Sequence, residues 1–499
     1  MRTLLTNGRM VDGTGRPARP AEVLIDGARI GEIAPKIDVR ADRAVDCEGM
    51  VIAPGFIDAH SHSDLQVLEN LGDKTRQGVT SEVVGNCGFS AFPCGSHAEE
   101  LREFANGIFC GGDEWGWRSA AEYLAEVERK AELASAFPLI GHGTLRIAHV
   151  GLRQGALEEA TVDEMCGAVE EGISGGAIGF STGLMYAPGS SAPFEELSRL
   201  CKAVARRGAI YCTHMRSYAW ELLEAIDEQV ALARASGCRL QISHLQSVGR
   251  TNWPKLEKAF EKIEAARQSG IDVEFDIYPY LAGSTVLSQL LPQSALDGGI
   301  EALMGRLKNP AERSEIAKET EDMLARRWSD VLISGVRTAG NQPVVGMTME
   351  EIAEQRGVRP VEAVIDLLIE EEAAVQMICF NQSEPNLRAL LTHPLCTVIS
   401  DGFYVKGRPH PRLFGTFPEL LGRYCRELQW FPLEGAVHKI TGKPARRFGL
   451  KDRGVLEAGA WADITVFDPE TIGSPATYSD PKQPPTGIRW VIREGRMVG

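Results

Sequence analysis

Residues 208–244 read GAIYCTHMRSYAWELLEAIDEQVALARASGCRLQISH. GAIYCTH (208–214) is an apolar strand, and WELLEAIDEQVALARAS (220–236) repeats its apolar residues at helical period. Gly237 suits the helix C-cap, and CRLQISH (238–244) is the next strand. Two short apolar strands joined by an amphipathic helix predict one parallel βα unit. Both strands end on histidine, His214 and His244.

The same rhythm extends in both directions. Upstream, Thr161 and Glu164 have capping-box spacing, the helix they would open stops near Gly175-Gly176, and AIGFST follows as a strand. GVTSEVVGNCGFS (78–90) is a strand with Cys87 at its exit, and VIAPGFIDAHSHSDL (51–65) ends on His60 and His62. Downstream, DVEFDIYPY and CTVISD are strands ending on Tyr278 and Asp401. The expected fold is α/β, a (β/α)8 TIM-like barrel, whose chemistry sits at the C-terminal ends of the strands. Successive strand side chains alternate in face, so His60 and His62 share one, about 7 Å apart. An isolated pair of this kind is also what two surface histidines at a strand exit look like. Polar residues at four exits (His60/His62, His214, His244 and Asp401) are hard to assign to chance.

The two ends have another texture. LLTNGRMVDGTGRPARPAEVLIDGARIGEIAP, GVLEAGAWADITVFDP and IRWVIREGRMVG alternate short apolar runs with turn residues, which predicts a small β-sandwich domain formed from both termini. The expected division is residues 1–56 for its first part, 57–435 for the barrel, and 436–499 for the barrel end and the second part. Within the barrel, residues 286–349 form a polar, helix-prone segment read as an insertion over the mouth.

A chain of 499 residues has room for one large core and an accessory domain. No apolar run reaches the ~18 residues of a membrane span, and the opening MRTLLTNGRMVDGTG has polar residues where a signal peptide is apolar, so a cytoplasmic location is expected. A net charge of −15 argues against nucleic acid or an anionic membrane as partner. Eleven cysteines without CxxC pairs, in so long a chain, are expected to be reduced thiols.

Imidazole, thiolate and carboxylate together describe a zinc-type site, at which a bound water is acidified toward neutrality. Cys87 is the candidate thiolate, and its flanking glycines permit close approach of the backbone to whatever it binds; alone, a cysteine is more often a small buried hydrophobe. HSH, VVGNCGFS, THMRS, QISHL and ISDG in this order resemble the amidohydrolase superfamily, and within it the N-acyl-D-amino-acid deacylase (D-aminoacylase) family. FSTGLMYAPGS, GRPHPRLFGTFPELLGRY and TGKPARRFGLKDRGVLEAGAWADITVFDP resemble that family too, so the likeness spans nearly the whole chain.

The resemblance implies a zinc-dependent hydrolase of linear amides acting on N-acyl-D-amino acids or related N-acyl compounds. It implies that Cys87, His214 and His244 hold a tight zinc, with His60, His62 and Asp401 around a weaker second position. Many relatives bridge two metals with a carboxylated lysine, whereas AIGFSTGLMY contains none and Cys87 can bridge instead. The implied mechanism has metal-bound hydroxide attacking the carbonyl, Asp401 taking the water proton and delivering it to the amine. Arg412 falls where the family places an arginine on the substrate carboxylate, with Tyr278 and Tyr186 beside the substrate. A structural ion pair and a core aromatic are the alternatives for Arg412 and Tyr278.

Two departures bear on the substrate: Gln246 stands where the family usually has lysine, and Tyr218 where glutamate is common. His142 receives no role; His97, His149, His393 and His438 are read as structural, and His410 as near the pocket if Arg412 is. The competing readings are a cyclic amide hydrolase and a non-catalytic, metal-free scaffold. Homo-oligomerisation is left open.

Overall fold

The computed structural model describes residues 1–105, 107–109 and 115–499. Eight strands lie side by side in chain order: β1 Phe56–Asp58, β2 Val79–Val84, β3 Ser135–Gly141, β4 Gly179–Gly183, β5 Ile210–His214, β6 Arg239–Ile242, β7 Val273–Ile277 and β8 Cys396–Val398. Every neighbouring pair from β1 to β8 is parallel. The strands are buried on both faces, as their apolar runs require when helices cover the outside. Between β5 and β6 the helix runs Leu222–Ser236 and ends at Gly237, whose φ of 73° is the left-handed cap that glycine adopts freely. The helix before β4 begins at Glu159 with Glu158 as N-cap, so Thr161 lies inside the first turn and the expected capping box does not form.

The barrel closes just beyond the strands proper. Asp401 N donates to His60 O at 2.9 Å, His62 N donates to Gly402 O at 3.1 Å, and Ser61 bridges Gly402 in parallel sense. Beneath this seam, buried Lys74 reaches the carboxylates of Asp58 and Glu82 and lies 2.8 Å from Ser400 Oγ. Burial opposes its charge, but the two carboxylates outweigh that and hold the ammonium above its usual range. β1, β2 and β8 are thereby tied together.

Residues 2–54 and 464–497 build one further eight-stranded sheet, so the two ends of the chain do fold together. Its apolar face folds over a core of its own, containing Leu5, Val23, Ile52, Ile464 and Val466. The loop before Ile464 closes against the far edge, with Ile30 N donating to Ala460 O and Ala462 N donating to Ala28 O.

Between β7 and β8 the chain makes a long excursion. Ala282–Val286, Val331–Gly335 and Gln376–Phe380 form a three-stranded antiparallel sheet, packed with helices around a separate core that includes Leu307, Ile333, Leu367 and Met377. The limits 286 and 349 expected from sequence fall inside this excursion. Five-residue strands paired antiparallel across 40 to 100 residues have no local periodicity to distinguish them from barrel units. No helix among the described residues is long and apolar enough to cross a membrane.

Candidate active site

His60 and His62 leave β1, Cys87 leaves β2, His214 ends β5, His244 leaves β6 and Asp401 leaves β8, and all six converge at one end of the barrel. Cys87 Sγ is 3.3 Å from His60 Nε2 and 3.5 Å from His244 Nε2. Asp401 Oδ1 is 3.3 Å from both His60 Nε2 and His62 Nε2. Three trios place one ligand atom of each member within 4.8 Å of the others: Cys87, His214 and His244; His60, His62 and Cys87; and His60, His244 and Asp401. Cys87, His60 and His244 each belong to two of them, and of these three Cys87 is the one whose single sulfur can bridge two ions.

The backbone holds these groups under strain. Cys87, His244 and Asp401 have φ of 54°, 34° and 50°, the left-handed region that non-glycine residues enter at a cost of about 1–3 kcal/mol each. Such strain persists where surrounding structure over-determines it. For His244 the support is visible: its N–H donates to Asp276 Oδ1 at 2.7 Å. Around Cys87 the backbone is pressed against β4, since a Cβ on Gly183 would stand 2.0 Å from Cys87 O and one on Gly88 2.8 Å from Gly183 N. The close approach expected from those glycines is to the neighbouring strand exit.

The electrostatics suit a cation. Burial draws the His214 imidazole down to about 3 and that of His244 well below its usual range, so both are neutral. Among the described residues, neither ring nitrogen of His214 has a hydrogen-bond partner, and the Nδ1 atoms of His62 and His244 have none either, although all are buried. Orphaned imidazoles facing a sulfur fit a zinc ion's preference for N and S donors. Burial pushes the Cys87 thiol up despite His60, so a positive charge is needed to hold it as thiolate. Burial would raise the Asp401 carboxyl, but Arg412 and then His60 outweigh it and hold it well below the usual range.

Arg412, Tyr278, Gln246 and Tyr186 line the same cleft of about 870 Å³ as His62, Cys87, His214, His244 and Asp401. His60 lies beneath. Arg412 Nη1 is 2.9 Å from Asp401 Oδ2, and the guanidinium sits 4.7 Å over the Tyr278 ring. Tyr278 OH is 3.4 Å from Gln246 Oε1, and burial pushes its phenol up to about 12, leaving it a neutral donor. The Tyr186 ring lies 4.9 Å from that of His214, tilted 58° to it. Tyr218 does not offer its hydroxyl to the cleft: it accepts from Met215 N at 3.0 Å and donates to Ser243 O at 2.9 Å, bracing the backbone beside His214 and His244.

His410 lies behind Arg412, its Nδ1 accepting from Arg412 N at 2.9 Å. His142 is buried away from the cluster, 2.9 Å from Glu196, which also pairs with Arg146. His97, His149, His393 and His438 each meet a carboxylate or carbonyl elsewhere.

Asp276 escaped the reading of the sequence. Beyond its bond to His244 N, it accepts from Gln241 Nε2 at 2.8 Å and lies 3.5 Å from His60 Nδ1, directing the other nitrogen of that ring at the cluster. The signal was there, because Asp276 stands two residues before Tyr278 and shares its strand face.

Residues 43–498 match the sequence model of the Amidohydrolase family. The chain belongs to the amidohydrolase family. N-acyl-D-glutamate deacylase of Alcaligenes xylosoxydans xylosoxydans is 35% identical over 503 residues, covering 99% of this amidohydrolase and 93% of that protein. The solved N-acyl-D-glutamate deacylase of Bordetella bronchiseptica, complexed with zinc and a phosphonate mimic of the tetrahedral intermediate, is similar with a TM-score of 0.85 at 33% identity, covering 99% and 96% of the two chains. A D-aminoacylase studied for its binuclear metal centre, with one-metal activation and second-metal attenuation, is similar with a TM-score of 0.84 at 32% identity and the same coverage.

Proposed function

We propose that this amidohydrolase cleaves the amide bond of N-acyl-D-amino acids, with zinc held by Cys87, His214 and His244 and a weaker second position beside His60, His62 and Asp401. The observation that supports it most is that five of these residues and a buried arginine line one cleft, with His60 directly beneath them. Zinc, when bound, supplies Lewis acidity and lowers the pKa of water.

The chain's own residues do the rest. Asp401, kept ionised by Arg412 and His60, accepts the proton of the attacking water at its carboxylate and passes it to the departing amine nitrogen. Arg412 clamps the substrate carboxylate, its planar fork suited to bidentate contact. Arg412 also pairs with Asp401 Oδ2 at 2.9 Å, so the guanidinium serves both the substrate carboxylate and the aspartate. Tyr278 adds a neutral O–H donor, and Gln246 a neutral amide in place of a second cation. Tyr186 covers His214 and narrows the approach.

The test is a hydrolysis panel of N-acyl-D-amino acids, N-acyl-L-amino acids and cyclic amides, with zinc content measured on the same preparation. Release of D-amino acids from linear substrates by zinc-containing enzyme is expected. Turnover confined to cyclic amides, or none in zinc-replete enzyme, would overturn the reading.

A further inference from the structure

A second, half-open cavity lies beside the active-site cleft, and Ile108, Tyr186 and Gln289 line both. Its walls include Phe89 from the loop after Cys87, Phe104, and Leu296, Ile300 and Leu303 from the excursion between β7 and β8. Glu103 is the one charged residue among its described lining.

Two features join this cavity to the reacting centre. Tyr186 stands 4.9 Å from His214 and 5.1 Å from Phe89, and Phe89 stacks on Phe104 at 4.3 Å and 12°. An aromatic wall therefore runs from a zinc-facing histidine into the second cavity. Opposite it, strand Ala282–Val286 carries Ser284, whose carbonyl accepts from Arg412 Nη2 at 3.3 Å, then Thr285, 3.3 Å from Tyr186 OH, then Val286 in the second cavity. The arginine thus meets the middle of this strand, and the apolar cavity begins at its end, two residues on.

An N-acyl amino acid has two arms about its amide. With the carboxylate of the amine arm on Arg412, the way past Tyr186 is open to either the acyl chain or the amino-acid side chain, and the apolar walls beyond it suit the longer hydrocarbon. We propose, resting on the deacylase reading, that the second cavity receives the acyl chain, and that the substrates are amino acids carrying a medium or long unbranched fatty acyl group. In the reaction water's oxygen bonds to the acyl carbon, the C–N bond breaks with its electron pair going to nitrogen, and the amine takes a proton. A fatty acid and a free amino acid leave. Apart from Glu103, Ser288 and Gln289 the lining side chains are apolar, so a hydrocarbon chain meets hydrocarbon and aromatic walls there.

The experiment measures kcat/KM of the zinc enzyme on N-acetyl-, N-hexanoyl-, N-octanoyl- and N-decanoyl-D-methionine, and competitive inhibition by acetate and decanoate. Each buried methylene is worth up to about fourfold, ~0.8 kcal/mol, so the octanoyl substrate should exceed the acetyl one at least tenfold and decanoate should inhibit where acetate does not. Ile300→Trp, which fills the cavity at a half-buried position, and Leu296→Gln, which makes it polar, should each lower the octanoyl-to-acetyl ratio at least tenfold. A flat chain-length series in wild type overturns the proposal while leaving the deacylase reading intact. So does a variant that lowers both substrates equally, or a wild-type preference that follows amino-acid side-chain size at constant acetyl and is lost in Ile300→Trp. If wild type hydrolyses none of the four, both readings fall together.

Discussion

Asp276→Asn is the substitution whose effect follows most directly from geometry. The carboxylate, 1% exposed, receives His244 N–H at 2.7 Å on Oδ1 and Gln241 Nε2 at 2.8 Å on Oδ2, and stands 3.5 Å from His60 Nδ1. An asparagine of the same shape has one acceptor in place of two. Whichever way the amide turns, its NH2 meets a donor. If it faces Gln241, that side chain can rotate to accept only by giving up the bond its Oε1 receives from Arg447 Nε at 3.1 Å. One buried group is left unsatisfied, at a cost of about 1–3 kcal/mol in folding stability. The ring of His60 also loses the carboxylate that orients it, and loss of such a partner behind a metal-facing histidine lowers metal affinity or activity about 10- to 100-fold, roughly 1.4–2.7 kcal/mol. The assays are urea unfolding, zinc retention against a chelator, and kcat at saturating zinc. Wild-type zinc retention and turnover, with stability unchanged within about 0.5 kcal/mol, would refute the idea that Asp276 sets the orientation of His60.

Cys87→Ala removes the one sulfur donor of the cluster, a member of two of the three trios, so as-isolated zinc should fall from between one and two ions to below one; full zinc occupancy and activity would make Cys87 a packing residue. Asp401→Asn keeps the shape but cannot accept a proton, and single-turnover rates should drop by roughly 10² to 10⁴ with the tight zinc still bound; near-normal turnover would remove Asp401 from the chemistry. Glu419 gives a pH test away from the site: burial pushes its carboxyl up from 4.5 to about 7. Between those values the folded protein binds more protons than the unfolded chain, so this group's contribution is intact below about pH 4.5 and lost as pH rises through 7. Glu419→Gln should therefore gain on wild type by about 1–3 kcal/mol in urea unfolding at pH 8 and by little at pH 4.5, and an equal effect at both would show that the carboxyl is not strained.

The residues 208–244 already contain the repeating unit of the fold, because strand alternation, helical period and a glycine cap are properties of the local backbone. The same holds for the ends of the chain, whose turn residues mark short strands, and for the six polar residues at strand exits, whose chemical types limit what they can bind. What the linear order could not contain is distance between residues hundreds of positions apart. Closure of β1 against β8 brings His60 beside Asp401 and Asp276, while Arg412 turns back onto Asp401 from the segment after β8 and Asp276 meets His244 across adjacent strands. It also decides which hydroxyls are spent, so that Tyr218 braces backbone while Tyr278 faces the cleft. The left-handed φ of Cys87, His244 and Asp401 belongs to this second group: none is a residue that favours such geometry locally to the extent glycine does, and packing of neighbouring strand exits imposes it. The excursion from Ala282 to Phe380 and the apolar cavity it walls arise likewise from pairing between distant short strands. Composition and period are written residue by residue, whereas the site is defined by contacts that exist only once the barrel has closed.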